Sequence, residues 1–162
     1  MSNEEIKYVT YDEVLDVYDK TIKYSGGGLS GVLDSGKIES IIAFVQHDDY
    51  YPDFVTKLNY LVYRFCSGHC FQDGNKRIAL TIGAYFLHKN GYNWQAVTFM
   101  KRIEAIIYHI AASHIDDELS YRIMECIVSG LDFDEVLKID IANAMSKGLT
   151  YEEQEKGGDN DE

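Results

Sequence analysis

Apolar residues along most of this chain recur three and four positions apart, the spacing of one face of an α-helix. Between Tyr11 and Tyr24 the face is Val14, Val17 or Tyr18, and Ile22. Thr10 stands three residues before Glu13, a capping box, and Val9 and Val14 are placed as its hydrophobic staple. The helix should stop at Ser25-Gly26-Gly27-Gly28, because each glycine costs about 1 kcal/mol in a helix interior. Ile38, Ile41, Ile42 and Val45 predict a second helix. Phe54, Leu58, Leu61, Val62 and Phe65 predict a third, begun at Pro52-Asp53. After a polar break at Ser67 to Asn75, a fourth runs from about Lys76 to Lys89 and stops at Asn90-Gly91. Ile103, Ile106, Ile107 and Ile110 predict a fifth. Leu119, Ile123 and Ile127 predict a sixth, ended by Gly130. Leu137, Ile141, Ala144 and Met145 predict the last, ended by Gly148. No run alternates apolar and polar residues, and only Gly26 to Leu33 offers extended structure, as a short hairpin or flap. The expected fold is all-α, a single-domain helical bundle of seven segments.

Composition narrows this picture. The chain has 162 residues, 46% of them hydrophobic, enough for one domain with its own core. We assign that domain to residues 1–149. Residues 150–162 carry six acids and one lysine with nothing apolar after Tyr151, and read as a solvated, disordered tail. Fifteen Lys and Arg against 27 Asp and Glu give a formal charge of −12. That balance argues against a nucleic-acid partner, which would call for a basic face. No apolar stretch is long enough to span a bilayer, and the polar, acidic first residues do not resemble a signal peptide. Cys66, Cys70 and Cys126 lack metal-ligand spacing and read as reduced thiols, so the expected location is cytoplasmic.

The chemistry is concentrated in His69-Cys70-Phe71-Gln72-Asp73-Gly74-Asn75-Lys76-Arg77. This segment lies between two predicted helices, where side chains need not pack in rows. The amides of Gly74, Asn75, Lys76 and Arg77 open the following helix, and free amides at a helix N-terminus form an anion site. Lys76 and Arg77 add two cations there, a placement the helix dipole itself disfavours. A bound phosphate would offset that misfit. Asp73 supplies a hard oxygen for magnesium beside the same cradle, and His69 can accept a proton near neutral pH. These are the parts needed to transfer a phosphoryl or nucleotidyl group to a hydroxyl. No P-loop or protein-kinase signature is present. His47, His88, His109 and His114 lack such neighbours and read as structural. Cys70 beside His69 is a poor nucleophile candidate, because adjacent residues point apart and no third group orients them.

The segment resembles the Fic/Doc motif H-x-F-x-[D/E]-G-N-x-R at His69, Phe71, Asp73, Gly74, Asn75 and Arg77. Thr10 to Gln46, including Lys23 to Leu29 and Leu33-Asp34, resembles the amino-terminal region of the death-on-curing (Doc) toxin branch, as does Ile78 to Gly91. The resemblance implies a Fic fold, with His69 as the base for a target hydroxyl and Phe71 turned inward to hold the loop. It further implies Asp73 holding magnesium on the nucleotide, Gly74, Asn75 and Lys76 lining the phosphate cradle, and Arg77 neutralising charge as the bond breaks. Gly27, Gly28 and Leu29 correspond to the flap that docks the target peptide.

The typical Fic pattern continues with a second glycine and a second arginine, where this chain has Lys76 and Leu80. Asn-Lys-Arg followed by Ala-Leu resembles Doc rather than the AMP-transferring members, although Gly74 replaces Doc's usual alanine. The implied activity is a protein kinase: transfer of the γ-phosphate of ATP, with Mg2+, to a protein hydroxyl, the family target being a threonine of elongation factor Tu. Transfer of AMP is the alternative, and a catalytically silent nucleotide- or peptide-binding module is another. Fic proteins are often restrained by an inhibitory [S/T]-x-x-x-E-[G/N] helix. Ser35 and Glu39 have its spacing, but Ser40 fails the last position, so the implied regulator is a separate antitoxin chain.

Overall fold

The computed structural model describes residues 5–24 and 31–157, with the backbone course alone for 150–157. Among the described residues there are eight α-helices and no β-strand: α1 Tyr11–Tyr24, α2 Ser35–Phe44, α3 Phe54–Ser67, α4 Asn75–Lys89, α5 Asn93–Glu104, α6 Ile107–Ala111, α7 Asp117–Val128 and α8 Glu135–Gly157. The one extended pairing among the described residues is an isolated antiparallel bridge between Val32 and Phe71. None of these helices is long and apolar enough to cross a membrane.

The central pair is α3 and α4. Against α4 lie α1, α5 and α6; against α3 lie α6 and α7; and α8 docks on α6 and α7. Phe65, Ile78, Ile82, Phe86 and Phe99 are buried at the centre, each contributing about 1.5–3 kcal/mol of hydrophobic stabilisation. Close approach of α5 to α4 depends on Gly83, where a Cβ would stand 2.5 Å from Phe99 Cζ.

The predicted helix starts are present in atomic detail. Thr10 N–H donates to Glu13 Oε1 at 3.1 Å and Glu13 N–H to Thr10 Oγ1 at 3.2 Å, while Val9 and Val14 are buried as a staple. Of the alternatives for the inner face of α1, both Val17 and Tyr18 are buried. Asp53 caps α3 in a reciprocal box with Thr56. Glu13 also binds Lys89 Nζ at 2.5 Å and the Tyr85 hydroxyl, so the cap of α1 is tied to the end of α4.

Two expectations are corrected. The fifth predicted segment is two helices, because the chain turns at Ala105 and Ile106 and restarts with Ile107; Ala96, Phe99, Met100 and Ile103 form the inner face of α5, and Ile107 and Ile110 that of α6. Gly148 does not end the last helix, which continues to Gly157. Residues 152–156 are Glu, Glu, Gln, Glu and Lys, good helix formers that extend a helix already nucleated by packing.

Candidate active site

Cys66, His69, Gln72, Asp73, Gly74, Asn75, Lys76 and Arg77 line one cleft of about 400 Å³. All six residues predicted to act on the nucleotide or the target hydroxyl therefore meet in one place. Gly27, Gly28 and Leu29, the predicted docking flap, lie outside the described residues. Larger hollows exist, a tyrosine-lined one of about 550 Å³ between α2, α3 and α7 and one of about 790 Å³ beside the N-terminal segment. Neither joins a base, a carboxylate and a cation-bearing helix N-terminus. No other histidine lines the motif cleft.

The loop is built from its buried side. Phe71 is fully buried and stacks on Tyr18 at 4.2 Å between centroids, with 13° between planes. Its N–H donates to Asn75 Oδ1 at 3.2 Å, and Asn75 Nδ2 donates back to its carbonyl at 2.9 Å. Asn75 thus closes the loop onto the first turn of α4. On the other side the loop is pinned to residues 31–34. Gln72 N–H donates to Gly31 C=O at 2.9 Å, and Leu33 and Asp34 N–H donate to Cys70 C=O at 2.9 and 3.2 Å. The described end of the flap segment is therefore bonded directly to the motif.

These anchors leave His69 exposed, with no hydrogen bond among the described residues, on a backbone at φ 53°. A left-handed conformation at a non-glycine residue costs of order 1–3 kcal/mol and persists only where its surroundings over-determine it. Gly74 caps α4 at φ 78°. A Cβ there would stand 2.9 Å from Ile22 Cδ1 and 3.4 Å from Arg77 Nη2, so conformation and space both favour glycine.

One predicted donor is taken. Gly74 N–H is not free in the cradle, because it donates to Asp73 Oδ1 at 2.7 Å. The following amides, of Asn75, Lys76 and Arg77, have no side-chain cap and are the uncapped donors that open α4. Asp73 Oδ2 lies 3.8 Å from Arg77 Nη2, with 52% and 39% of the side chains exposed, a loose pair that water screens. Lys76 is exposed and forms no ion pair among the described residues. Two cations thus stand at the positive end of a helix with little to neutralise them. Burial pushes the Cys66 thiol up to about 12, against the pull of its own backbone N–H and of Lys76. Burial likewise raises the Cys70 thiol, which is fully enclosed. Neither is a thiolate nucleophile.

The fit to magnesium can be judged from the donor set. Asp73 is the cleft's single carboxylate, its Oδ2 only loosely engaged, and among the described residues no three His, Cys, Asp or Glu gather into a metal cage. One carboxylate suits magnesium held jointly by phosphate oxygens and water.

Residues 8–87 match the profile of the Fic/DOC family. Over 90 residues the chain is 36% identical to the "Protein kinase doc" of Escherichia phage P1, covering 53% of this chain and 70% of that relative. The chain belongs to the Fic/DOC family. Its Fic/DOC motif is the loop just described, with Phe71 turned inward and Arg77 at the mouth. Sequence patterning did not reveal the partners that hold that motif: Tyr18 beneath Phe71, the Gly31–Asp34 pairing, and Lys37, whose Nζ donates to Gly68 C=O at 2.7 Å. A single bridge has no periodicity to detect, and a lysine reads from sequence as surface.

Proposed function

We propose that this chain is a Doc-like toxin that transfers the γ-phosphate of ATP to a protein hydroxyl, the family target being a threonine of elongation factor Tu, and so arrests translation. The reading rests on one observation: His69, Asp73 and the cation-bearing N-terminus of α4 share a single cleft. His69 takes the proton of the target hydroxyl. The hydroxyl oxygen attacks the γ-phosphorus, the bond from that phosphorus to the bridging oxygen breaks, and ADP leaves. Arg77, Lys76 and the free amides of α4 hold the phosphates and meet the charge that develops on them. Asp73 would hold Mg2+ on those phosphates, and the ion, when bound, supplies further charge neutralisation.

Two positions favour γ-phosphate over AMP transfer. Leu80, where AMP-transferring members carry an arginine, is 6% exposed and packs into the core, so position 80 holds no phosphate. Lys76, where they carry a glycine, extends a cation at the cleft. Residues 31–34, bonded to the motif, favour a protein target laid along the flap. A separate antitoxin chain is the proposed regulator, since the sequence carries no complete inhibitory motif.

The test incubates the chain, and His69→Ala beside it, with elongation factor Tu and magnesium-ATP labelled at the γ- or the α-phosphate. Label from the γ-position alone, lost in His69→Ala, is expected. Label from the α-position alone would replace the reading with AMP transfer. No label on this factor or on any protein of a whole lysate would leave a silent binding module.

A further inference from the structure

We propose that Lys37 is a positioning residue for His69, setting the direction of the base from a different helix. This rests on the reading of His69 as the base, and its test is arranged so that the two can fail separately. His69 has no side-chain partner among the described residues, so its direction is set by the residues on either side of it. The carbonyls of both neighbours, Gly68 and Cys70, are gripped by residues 33–37, at and just before the start of α2. Cys70 C=O accepts from Leu33 and Asp34 N–H at 2.9 and 3.2 Å, and Gly68 C=O accepts from Lys37 Nζ at 2.7 Å.

Lys37 is the one side chain in this grip. Its own backbone is fixed, because Lys37 N–H donates to Asp34 Oδ1 at 2.9 Å in the N-cap of α2. Asp34 therefore orders Lys37 through its side chain and Cys70 through its N–H. On the remaining side Gly68 N–H donates to Arg64 C=O at 2.9 Å, and a Cβ at position 68 would collide with that same carbonyl. Gly68, the residue that leads into His69, is thus held by α3 at its N–H and by Lys37 at its C=O. No carboxylate pairs with Lys37 among the described residues, so its ammonium is committed to one carbonyl. A loop strained at φ 53° needs such restraint, since the strained form persists only while its neighbours hold it.

Because Lys37 is not among the residues that line the cleft, its loss should misdirect the base without weakening nucleotide binding. The experiment compares wild type, Lys37→Met, which keeps the stem and removes the donors, and Lys37→Arg, which restores one. Phosphotransfer kinetics are read together with histidine ring signals in 1H–13C correlation spectra, His69 being assigned from His69→Ala. For Lys37→Met, kcat should fall at least about tenfold with KM for ATP within about twofold. The His69 signal should shift and broaden while the other four histidines stay in place. Lys37→Arg should recover most of both. Wild-type kcat with an unmoved His69 signal overturns the proposal. So does a raised KM at constant kcat, which would make Lys37 a nucleotide contact, and so does loss of the near-UV circular dichroism of the folded chain. If the wild type transfers no phosphate, the kinase reading falls, and the His69 signal alone still decides the role of Lys37.

Discussion

Asn75→Ala isolates what closes the motif loop. In the Val32–Phe71 bridge the cross-links come from the flanking residues, Gln72 N–H to Gly31 C=O and Leu33 N–H to Cys70 C=O. The peptide groups of Phe71 itself turn away and find only the Asn75 amide, at 3.2 Å for the N–H and 2.9 Å for the carbonyl. Removing the amide deprives both groups at once. A lost hydrogen bond whose partner water can reach costs about 1 kcal/mol, and one whose partner stays buried costs up to about 3. Phe71 is fully enclosed whereas Asn75 is only half-buried, so one group should be rehydrated and the other not. The expected loss is about 2–4 kcal/mol. For a chain of this length, each kcal/mol lowers the melting temperature by about 2–4 °C, so a drop of about 4–16 °C should accompany it. Urea titration gives the free energy, and an unchanged m-value shows that the unfolded state is not the cause. A loss under about 0.5 kcal/mol would refute the reasoning, and would mean that the Phe71–Tyr18 stack and the bridge hold the loop alone.

Three further outcomes follow from contacts elsewhere. Gly83→Ala should destabilise the chain by about 1–3 kcal/mol despite the better helix propensity of alanine, because the new Cβ would lie 2.5 and 2.8 Å from Phe99 and 3.1 Å from Val62 Cγ2 in a core without slack; a urea titration showing a gain would refute it. Cys70→Ala should keep phosphotransfer within about threefold of wild type, since an enclosed thiol with a raised pKa does no nucleophilic work; abolished transfer in a folded variant would restore Cys70 to the mechanism. Glu13 is pushed up by burial, but Lys89 and the N–H and hydroxyl of Thr10 outweigh this and hold its carboxyl below the usual value. Its contribution is therefore fully present above the unfolded-state value, about pH 4.3, and is lost as pH falls through the lower folded value. The stability gap between wild type and Glu13→Gln should narrow below about pH 4, and a gap unchanged down to pH 3 would show that Glu13 is not the group responsible.

What could be read from the sequence divides along a physical line. Features specified within a few residues were legible: the Thr10–Glu13 box, the start at Asp53, the stop at Asn90-Gly91, and a motif whose nine positions carry both loop and chemistry. Features that depend on distant chain were not. Nothing near Phe71 announces Tyr18, and nothing near Gly68 announces Lys37 thirty-one residues earlier. Lys57 is the extreme case. It lies fully buried in α3, its Nζ donating to Val45 C=O at 3.0 Å and to Asp48 Oδ1 at 2.8 Å, where a sequence reading expects an exposed cation. The amide of Gly74 differs from expectation for a related reason, since Asp73 can serve as ligand or as local cap and only the fold decides. At Gly148 a weak local rule lost to the packing of α8.

Several places where local rules fail lie at the cleft. His69 is in a left-handed conformation, two cations crowd the N-terminus of α4, and Asp73, which could have neutralised them, caps Gly74 and stands 3.8 Å from Arg77. Each feature is mildly unfavourable in the free chain, the cations by about 0.3–1 kcal/mol apiece. None is needed for folding, because Phe71, Asn75 and the 31–34 pairing already fix the loop. A sequence selected only for stability would place an acid at position 76 and a glycine at 69. Their absence, on a loop otherwise anchored, is what the proposed nucleotide site requires, since the phosphates would bring the missing negative charge.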